Sequence, residues 1–401
     1  MWDPVEGSEA RNVRFVGYSD LDGRPDAIAL MRHGNYLYVG HLWSGGVSIV
    51  DIRDPKNLKV VNHIPSLPNT WHTNLQVADD LLLCADEIVL FGTYPGTPMG
   101  MDNSKPWSSG LRIYDVSNPL KPEPLSFWPT VGRGSHRNWY TGGRYAYCSL
   151  QPEGYRWNIF VTLDLSDPRQ PQEIGRWWLP GMWEAGGEQT TEQPGEWFWL
   201  HGPIVHGDRA YCGWWDAGMV ILDISNLSKP KMLSRLDYSP PYGGATHTCL
   251  PLPGRGAVVI ADESMADNCQ EGQKLIWIVD VREETNPVPI ATCPVPAERD
   301  FCMPGVRFGP HNLHENRPGS FQSDTLIFNA YFAAGLRIFD ISNLHAPRDA
   351  GYFIPPPPKR MIDPRPSAAR HCSSQDVYVD RDGLMYLTDY NCGLYVLEYT
   401  G

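Results

Sequence analysis

Six of the 12 histidines occur in similar short segments, each at the start of a stretch that predicts a β-strand. They are His72, His136, His201, His247, His311 and His371, in WHTNLQV, SHRNWYT, LHGPIVH, THTCLPL, PHNLHEN and RHCSSQD. The related string PDAIALM carries Asp26 at the corresponding place. Neutral imidazole is a common ligand of transition metals, and imidazoles that converge can share one ion. We therefore expect a divalent metal held by these histidines, with iron, copper, manganese and zinc as candidates.

Acidic residues follow at the end of the next predicted strand in most of these units. They are Asp86, Glu87, Asp216, Asp262, Glu263 and Asp389, with Asn329 at the same place in one unit. A carboxylate behind a metal-bound imidazole fixes its tautomer, and one beside the substrate can move protons. We expect catalytic roles for Glu87, Asp262, Glu263 and for His314, which closely follows His311. The alternative is that these carboxylates cap loops or accept backbone N–H bonds.

Aromatic and basic side chains lie close to the histidine segments in the sequence. The segment 181–199 contains Trp183, Trp197 and Trp199. As substrate-binding candidates we take Trp71, Trp139, Trp215, Arg137 and Arg370, while Arg307 and Trp214 lie nearby. Aromatic walls suit a flat substrate, and arginine pairs with carboxylates. The expected substrate is therefore a small molecule that is aromatic or bears a carboxylate. For each tryptophan, packing within the fold is the alternative.

The histidine segments alternate with a second recurring pattern. The strings GGVSIVDIRDP, SGLRIYDVSNP, NIFVTLDLSDP, AGMVILDISNL, KLIWIVDVREE, AGLRIFDISNL and CGLYVLEY are versions of one another. Their acidic anchors are Asp51, Asp115, Asp164, Asp223, Asp280, Asp340 and Glu398, about 58 residues apart. Alternating β-branched residues followed by Asp-Pro or Asn-Leu predict a strand and then a turn. The chain is thus built from seven related units.

Each unit predicts four strands, and seven such units predict an all-β fold, a seven-bladed β-propeller formed by residues 1–401 as a single domain. The seventh unit ends at GLYVLEYTG without its outer strand. The segment NVRFVGYSD (12–20) has the missing pattern, so we expect it to complete that blade and close the ring. In a propeller the inner strands surround the axis, which places the six histidines on one face.

These units resemble the LVIVD-repeat family, whose signature is a Gly-Leu-x-Ile-x-Asp strand followed by Asp-Pro or Asn-Pro. The resemblance covers residues 12–399 and implies the propeller fold. More distantly, the arrangement is similar in architecture to metal-dependent propeller enzymes with axial histidines, such as carotenoid-cleaving oxygenases, nitrous oxide reductase, thiocyanate dehydrogenase and selenium-binding-type thiol oxidases. That likeness implies a slight preference for redox chemistry.

Two interpretations of the repeated histidine remain open. Duplication copies a scaffolding histidine, bonded to an aspartate of its own blade, as readily as it copies a metal ligand. Moreover, one ion that binds six imidazoles has no position left for a substrate. We therefore expect three or four of the six to bind the ion, unless the site is a multinuclear copper cluster.

The lengths of the predicted connections differ between the two faces. On the far face most turns are short, while insertions concentrate on the histidine face, at 88–108, 181–199, 264–273, 296–310 and 353–369. One exception, 316–324, lies on the far face. Long loops over a rigid scaffold commonly build substrate sites. This asymmetry favours a functional face over scaffolding alone.

Composition limits the classes of partner. The formal net charge of -13 argues against nucleic acid or an anionic membrane surface. The sequence has no apolar run long enough to cross a membrane, and MWDPVEGSEARNV lacks the pattern of a secretory signal. Nine cysteines without CxxC pairs are typical of reduced thiols, so we expect a cytoplasmic protein. Cys84, Cys148 and Cys212 recur at one repeat position and are expected to pack as small apolar residues.

Three hypotheses follow for the function. The first is a metal-dependent enzyme with a site on the propeller axis, where redox chemistry is slightly favoured over hydrolysis or elimination. The second is a non-catalytic propeller that binds a peptide or protein on its loop face. The third is a metal-free hydrolase or lyase that uses a histidine–carboxylate pair. The oligomeric state is left open by the sequence. No nucleophile-elbow, Walker A, dinucleotide-binding or HExxH motif points to another class.

Overall fold

The structure is a computed structural model that describes residues 4–88, 106–363 and 368–401. Seven antiparallel sheets follow one another along the chain, and the inner strands of neighbouring sheets contact each other. This is a seven-bladed β-propeller, as the repeat predicts. The described residues contain almost no helix, apart from the single 3₁₀ turns Glu184–Gly186 and Pro253–Arg255.

The strands are numbered in chain order and grouped by blade. Blade 1 contains β3 (Ala27–His33), β4 (Tyr36–His41), β5 (Val47–Asp51) and β6 (Lys59–Ile64); blade 2 contains β7 (Thr70–Trp71), β8 (Leu75–Ala78), β9 (Leu81–Ile88), β10 (Gly110–Asp115) and β11 (Glu123–Pro129); blade 3 contains β12 (Tyr145–Leu150), β13 (Ile159–Asp164) and β14 (Gln172–Trp177). Blade 4 contains β15 (Gly202–His206), β16 (Arg209–Gly213), β17 (Met219–Asp223) and β18 (Lys231–Leu236); blade 5 contains β19 (Thr246–Leu252), β20 (Ala257–Asp262), β21 (Ile276–Asp280) and β22 (Val288–Thr292). Blade 6 contains β23 (Leu326–Ala330), β24 (Leu336–Asp340), β25 (Arg348–Ile354) and, on its outer edge, β1 (Glu9–Arg11); blade 7 contains β26 (Ser374–Val379), β27 (Leu384–Asp389), β28 (Gly393–Tyr399) and β2 (Val13–Ser19).

The inner edges of blades 3 and 6 are irregular. In blade 3, isolated bridges join Ser135 to Leu150 and Trp139 to Tyr147. In blade 6, one bridge joins Leu313 to Asn329. Both segments occupy the place of an inner strand, so the four-strand repeat is kept although the ladder is incomplete.

The N-terminal segment closes the ring, as expected from residues 12–20. Strand β2 pairs antiparallel with β28, from Val13 opposite Tyr399 to Ser19 opposite Leu394. Just before it, β1 pairs with β25 of blade 6. The beginning of the chain is therefore bonded to two neighbouring blades, and each strand covers an edge that would otherwise expose unpaired backbone groups.

The repeated acidic anchor has a structural explanation. In six blades the aspartate at the end of the third strand accepts a backbone N–H two residues later, over distances between 2.8 and 3.0 Å; the residues are Asp51, Asp115, Asp164, Asp223, Asp280 and Asp340. Such a bond favours the tight turn that leads to the outer strand. The third strands between these turns are almost entirely buried, as in VSIVD of blade 1.

The cysteines divide into two groups. Cys84, Cys148 and Cys212 are fully buried and free, as expected for small apolar residues within the blades. Cys269 and Cys302, however, form a disulfide. The expectation that the thiols are all reduced is therefore wrong for this pair. The two residues are 33 positions apart, and only the folding of two loops onto the same face brings them together.

None of the helices in the described ranges is long and apolar enough to span a membrane.

Candidate functional site

A cavity of about 900 Å³, counting its open mouth, lies on the axis at the face that carries the insertions. Four of the six predicted histidines line it: His136, His201, His247 and His311. Their ring centroids follow one another at 4.7, 3.4 and 4.6 Å along blades 3 to 6. The predicted ring of six is therefore an arc of four around this cavity.

The strand register explains why these imidazoles converge. The backbone N–H of His136 bonds to Ser149, that of His201 to Gly213 and that of His311 to Ala330, over 2.8 to 3.0 Å. Each acceptor belongs to the second strand of the same blade. His247 lies at a bulge between the pairs Thr246–Asp262 and Thr248–Ala261. The four histidines thus occupy one level of the propeller.

The Nδ1 atoms of three of these histidines have hydrogen-bond partners, which set the tautomers of the imidazoles. His201 Nδ1 donates to the carbonyl oxygen of His247 at 2.7 Å, and His311 Nδ1 donates to that of Gln375 at 2.6 Å. His136 Nδ1 lies 2.8 Å from Glu87 Oε2. A neutral imidazole that donates from Nδ1 keeps a lone pair on Nε2. At least three of the four therefore keep Nε2 available as an acceptor or ligand.

Burial keeps these imidazoles neutral. It lowers the pKa of His311 to about 3, against the opposing effect of the bond to Gln375. Burial also lowers the pKa of His201 and His247 far below the usual value, and the neighbouring imidazoles and Arg137 add to the effect. The pKa of His136 is lowered less, because Glu87 opposes burial. Several neutral imidazoles in close proximity form a ready donor set for a metal ion.

Glu263 completes a possible ligand group with two of these histidines. Its Oε2 lies 3.5 Å from His247 Nε2, and its Oε1 lies 3.7 Å from His311 Nε2. One ligand atom from each of the three residues lies within 4.8 Å of the other two. Burial raises the pKa of Glu263 to about 7, while Arg307 opposes this shift. Two imidazoles and one carboxylate are a donor set that both iron and zinc accept in proteins.

Glu87 has a different environment from Glu263. It is fully buried and bonds to Arg133, to Thr73 at 2.6 Å and to His136. Burial alone would raise its pKa, but the charge of Arg133 and the hydrogen bonds from His136 and Thr73 outweigh burial and lower the pKa to about 2. Glu87 therefore stays ionised and orients His136, a role that resembles the predicted one of a carboxylate behind an imidazole.

Aromatic side chains form the walls of the cavity. Trp71 and Trp215 line it, as predicted, together with Trp43, Trp197, Trp199 and Tyr390. Trp199 and Trp215 lie 4.6 Å apart between ring centroids, and the guanidinium of Arg133 lies 3.8 Å from the Trp199 ring centroid. Such walls favour a planar ligand. Trp197 is half exposed at the mouth.

Arg137 also lines the cavity, but its guanidinium is held from below. Nε and one terminal nitrogen donate to Glu315 Oε1 at 3.1 and 2.7 Å, and Asp376 lies 3.9 Å away. Arg317 bonds to the other oxygen of Glu315 at 3.2 Å. A buried, paired network therefore forms the floor on the axis.

Two predicted metal ligands lie outside the cavity lining. His72 Nε2 is 3.2 Å from Asp86 Oδ1, and Asp86 also binds Arg112 at 2.8 Å, so this histidine belongs to a buried network of its own blade. Its backbone N–H points to His41 of blade 1 rather than to the second strand of blade 2. His371 Nδ1 bonds to the carbonyl oxygen of Cys372 at 3.0 Å.

Two predicted catalytic residues also have structural partners. Asp262 accepts bonds from Tyr238, in the connection between blades 4 and 5, at 2.6 Å and from Trp277 of blade 5 at 2.7 Å. Successive residues of a strand point to opposite sides, which separates Asp262 from Glu263. His314 Nε2 donates to the carbonyl of Phe321 at 2.8 Å, and its Nδ1 accepts the N–H of Val379 at 3.2 Å, so both nitrogens are engaged.

Two predicted substrate-binding residues are elsewhere. Trp139 lines a second cavity toward the opposite face, with Glu315. Arg370 donates to the carbonyl oxygens of Pro358, at 2.7 Å, and Lys359. Of the predicted insertions, 88–108 and 353–369 lie partly outside the described residues. The segments 181–199, 264–273 and 296–310 contribute Trp197, Met265 and Arg307 to the cavity.

Several lining residues were missed by the sequence analysis. Arg133 and Thr73, which hold Glu87, stand three residues before His136 and one after His72. A search for polar residues close to the repeated histidine would have found both. Trp43 and Tyr390 come from turns between strands of blades 1 and 7 and carry no comparable signal.

Comparison with known proteins supports the repeat. The sequence model of the LVIVD repeat matches residues 26–63 and 204–237, in blades 1 and 4. No curated protein matches the sequence. Among solved structures, the computationally designed Ika8 protein is similar over 94% of this chain and 96% of that one, with 10% identity and a TM-score of 0.49. The fold is shown by the seven sheets themselves. The chain is therefore a seven-bladed β-propeller that contains LVIVD repeats.

Proposed function

We propose that this protein is a metal-dependent enzyme that acts on a small substrate in the axial cavity. His247, Glu263 and His311 would hold the ion, since their ligand atoms lie within 4.8 Å of one another in a buried site. This grouping is the observation that carries the proposal. His136 and His201 extend the donor set on one side.

The donors fit a divalent transition metal. His311 is buried as the Nδ1–H tautomer, and a carboxylate lies between its Nε2 and that of His247. Iron, copper, manganese and zinc are the candidates, because imidazole with carboxylate suits each of them. When bound, the ion supplies Lewis acidity, and iron or copper also supplies redox chemistry.

The surrounding residues would bind and orient the substrate. Trp71, Trp199 and Trp215 provide flat apolar surfaces around the cavity. Arg137 presents a buried cation at its floor. An aromatic or carboxylate-bearing small molecule matches this lining.

Oxidation is favoured slightly over hydrolysis or elimination. Two histidines and one carboxylate with room for further ligands are typical of non-haem iron oxygenases. The same donors also hold zinc in hydrolases, so the choice depends on the metal.

A metal-free hydrolase or lyase is the second candidate, and the 2.8 Å pair of His136 and Glu87 favours it. Such a pair is the arrangement of a general base and the carboxylate that orients it. A non-catalytic, peptide-binding propeller is the third candidate. Trp183, Trp197 and Tyr242 are exposed in loops of the histidine face, as a docking surface would require.

Metal analysis separates these candidates. Protein purified without an affinity tag is expected to contain about one equivalent of a transition metal per chain, and His247→Ala, His311→Ala and Glu263→Gln should each lose it. His371→Ala is the matched control, because this histidine lies outside the cavity lining, and it should retain the metal. Substoichiometric metal that is unchanged in the His247 and His311 variants would refute the proposal. Activity without metal would favour the His136–Glu87 pair.

The cellular setting is also a proposal. A cytoplasmic protein with no nucleic-acid or membrane partner was expected from the sequence. The Cys269–Cys302 disulfide favours an oxidising compartment instead, because such bonds are rare in the cytosol. Fractionation of the native host, with thiol-trapping of the cysteines before lysis, would decide between these locations.

A further inference from the structure

Two loops of the histidine face are joined to each other at several points. The disulfide connects Cys269 of the segment 264–273 to Cys302 of the segment 296–310. The backbone N–H of Asn268 donates to the carbonyl of Val306 at 3.0 Å, and an isolated bridge pairs Asp267 with Arg307. The covalent link thus lies in the same loop pair as a short backbone pairing that includes Arg307.

Arg307 connects this loop pair to the candidate metal ligands. Its NH1 donates to Glu263 Oε1 at 3.2 Å, and its carbonyl oxygen accepts the N–H of Ala333 at 3.2 Å. The guanidinium lies 5.4 Å from the ring centroid of Phe332. With Oε1 held by Arg307, Oε2 of Glu263 is the oxygen that lies 3.5 Å from His247 Nε2.

We propose that Cys269–Cys302 and Arg307 are positioning residues for Glu263, and that reduction of the disulfide weakens metal binding. This inference rests on the metal site proposed above. The disulfide restricts the loop that carries Arg307, and Arg307 in turn holds the carboxylate toward the two imidazoles. Partners that hydrogen-bond to a metal ligand commonly change metal affinity by about 10–100-fold when they are lost. Reduction is therefore expected to lower metal affinity by about tenfold. This is the lower end of that range, because reduction releases the loop at only one point.

The position of the disulfide makes it accessible to a reductant. Cys269 and Cys302 are exposed, whereas the free cysteines among the described residues are buried. A dithiol would attack the exposed bond, and its two sulfurs would be oxidised to a disulfide as both protein sulfurs become thiols. The blades would remain intact, since this bond lies between loops and not between strands.

The test measures metal affinity in the two redox states. Zinc or cobalt would be titrated into apo-protein in competition with a chromophoric chelator, with and without tris(2-carboxyethyl)phosphine. The oxidised wild type is expected to bind about tenfold more tightly than the reduced protein and the double variant Cys269→Ser, Cys302→Ser. The reductant should not change the affinity of the double variant further. Arg307→Gln should show a similar loss, and Arg307→Lys should recover part of it.

A second measurement separates positioning from general stability. Amide exchange at Asn268 should become faster on reduction, while exchange in β20 and β24 stays slow. Cys148→Ser, a substitution inside blade 3 away from the site, is the control and should bind metal as the wild type does. Equal affinity of the oxidised and reduced protein, with faster exchange at Asn268, would overturn this inference and leave the metal site standing. Absence of metal binding by the oxidised wild type would overturn both.

Discussion

The imidazole of His136 in blade 3 is hydrogen-bonded to Glu87 of blade 2, with 2.8 Å between Nδ1 and Oε2. The two residues are 49 positions apart, and Arg133 bonds to the other oxygen of the same carboxylate. One buried negative charge therefore holds a cation and an imidazole across the boundary between two blades.

Replacement of Glu87 by Gln should destabilise the protein and disturb the cavity. The variant leaves the largely buried Arg133 without its ion-pair partner, and breaking such a pair costs about 3 kcal/mol. Urea denaturation would measure this loss as a lower midpoint with an unchanged slope. Glu123→Gln, which removes an exposed ion pair with Lys121, is the control and should change the midpoint little. An unchanged midpoint for Glu87→Gln would show that the charge at position 87 is not needed.

The two kinds of histidine should respond differently to substitution. His72→Ala removes a buried partner of Asp86 and should cost about 1–3 kcal/mol of stability without loss of metal binding. His247→Ala should abolish metal binding. Thermal denaturation and metal analysis of both variants would check this contrast. Loss of metal from the His72 variant, in a folded protein, would contradict the arc of four.

Asp376 should make stability depend on pH. Burial raises its pKa to about 7; Arg137 opposes this shift and Glu315 adds to it. Since the unfolded value is about 4, the folded state holds the extra proton between about pH 4 and pH 7. The contribution of Asp376 to the free energy of unfolding is therefore largest at low pH and is lost as the pH rises through 7. Asp376→Asn, which stays neutral, should gain stability relative to the wild type between pH 4.5 and pH 8, as measured by urea denaturation. A difference that does not vary with pH would contradict the raised pKa.

Deletion of residues 1–20 should weaken the whole ring. It removes β1 and β2 and exposes the edges of β25 and β28, so we expect a lower and broader thermal transition, or aggregation through the open edges. Deletion of residues 1–8 retains both strands and is the control. A transition at the wild-type temperature after the longer deletion would show that ring closure contributes little.

Much of this architecture follows from the sequence alone. The alternation of β-branched residues in strings such as GGVSIVDIRDP predicts strands, and their recurrence predicts equivalent blades. The missing outer strand of the seventh unit, matched by NVRFVGYSD, predicted the pairing of β2 with β28. The repeat also placed histidines, acidic residues and most insertions on one face, because strand direction alternates regularly within each blade.

The tertiary structure decided which of these residues meet. The sequence repeat sets the position of each histidine backbone along the propeller axis. The direction of its side chain, however, depends on bulges and on contacts with the next blade. His247 and His311 turn toward Glu263, while His72 turns toward Asp86, although all three histidines occupy the same place in their units. Glu263 faces the cavity and Asp262 does not, because neighbouring residues on a strand point in opposite directions. The pairing of Cys269 with Cys302, and the approach of Arg307 to Glu263, arise only when two loops fold onto each other. Sequence periodicity thus determined the scaffold and the face, whereas packing between the blades determined the candidate site.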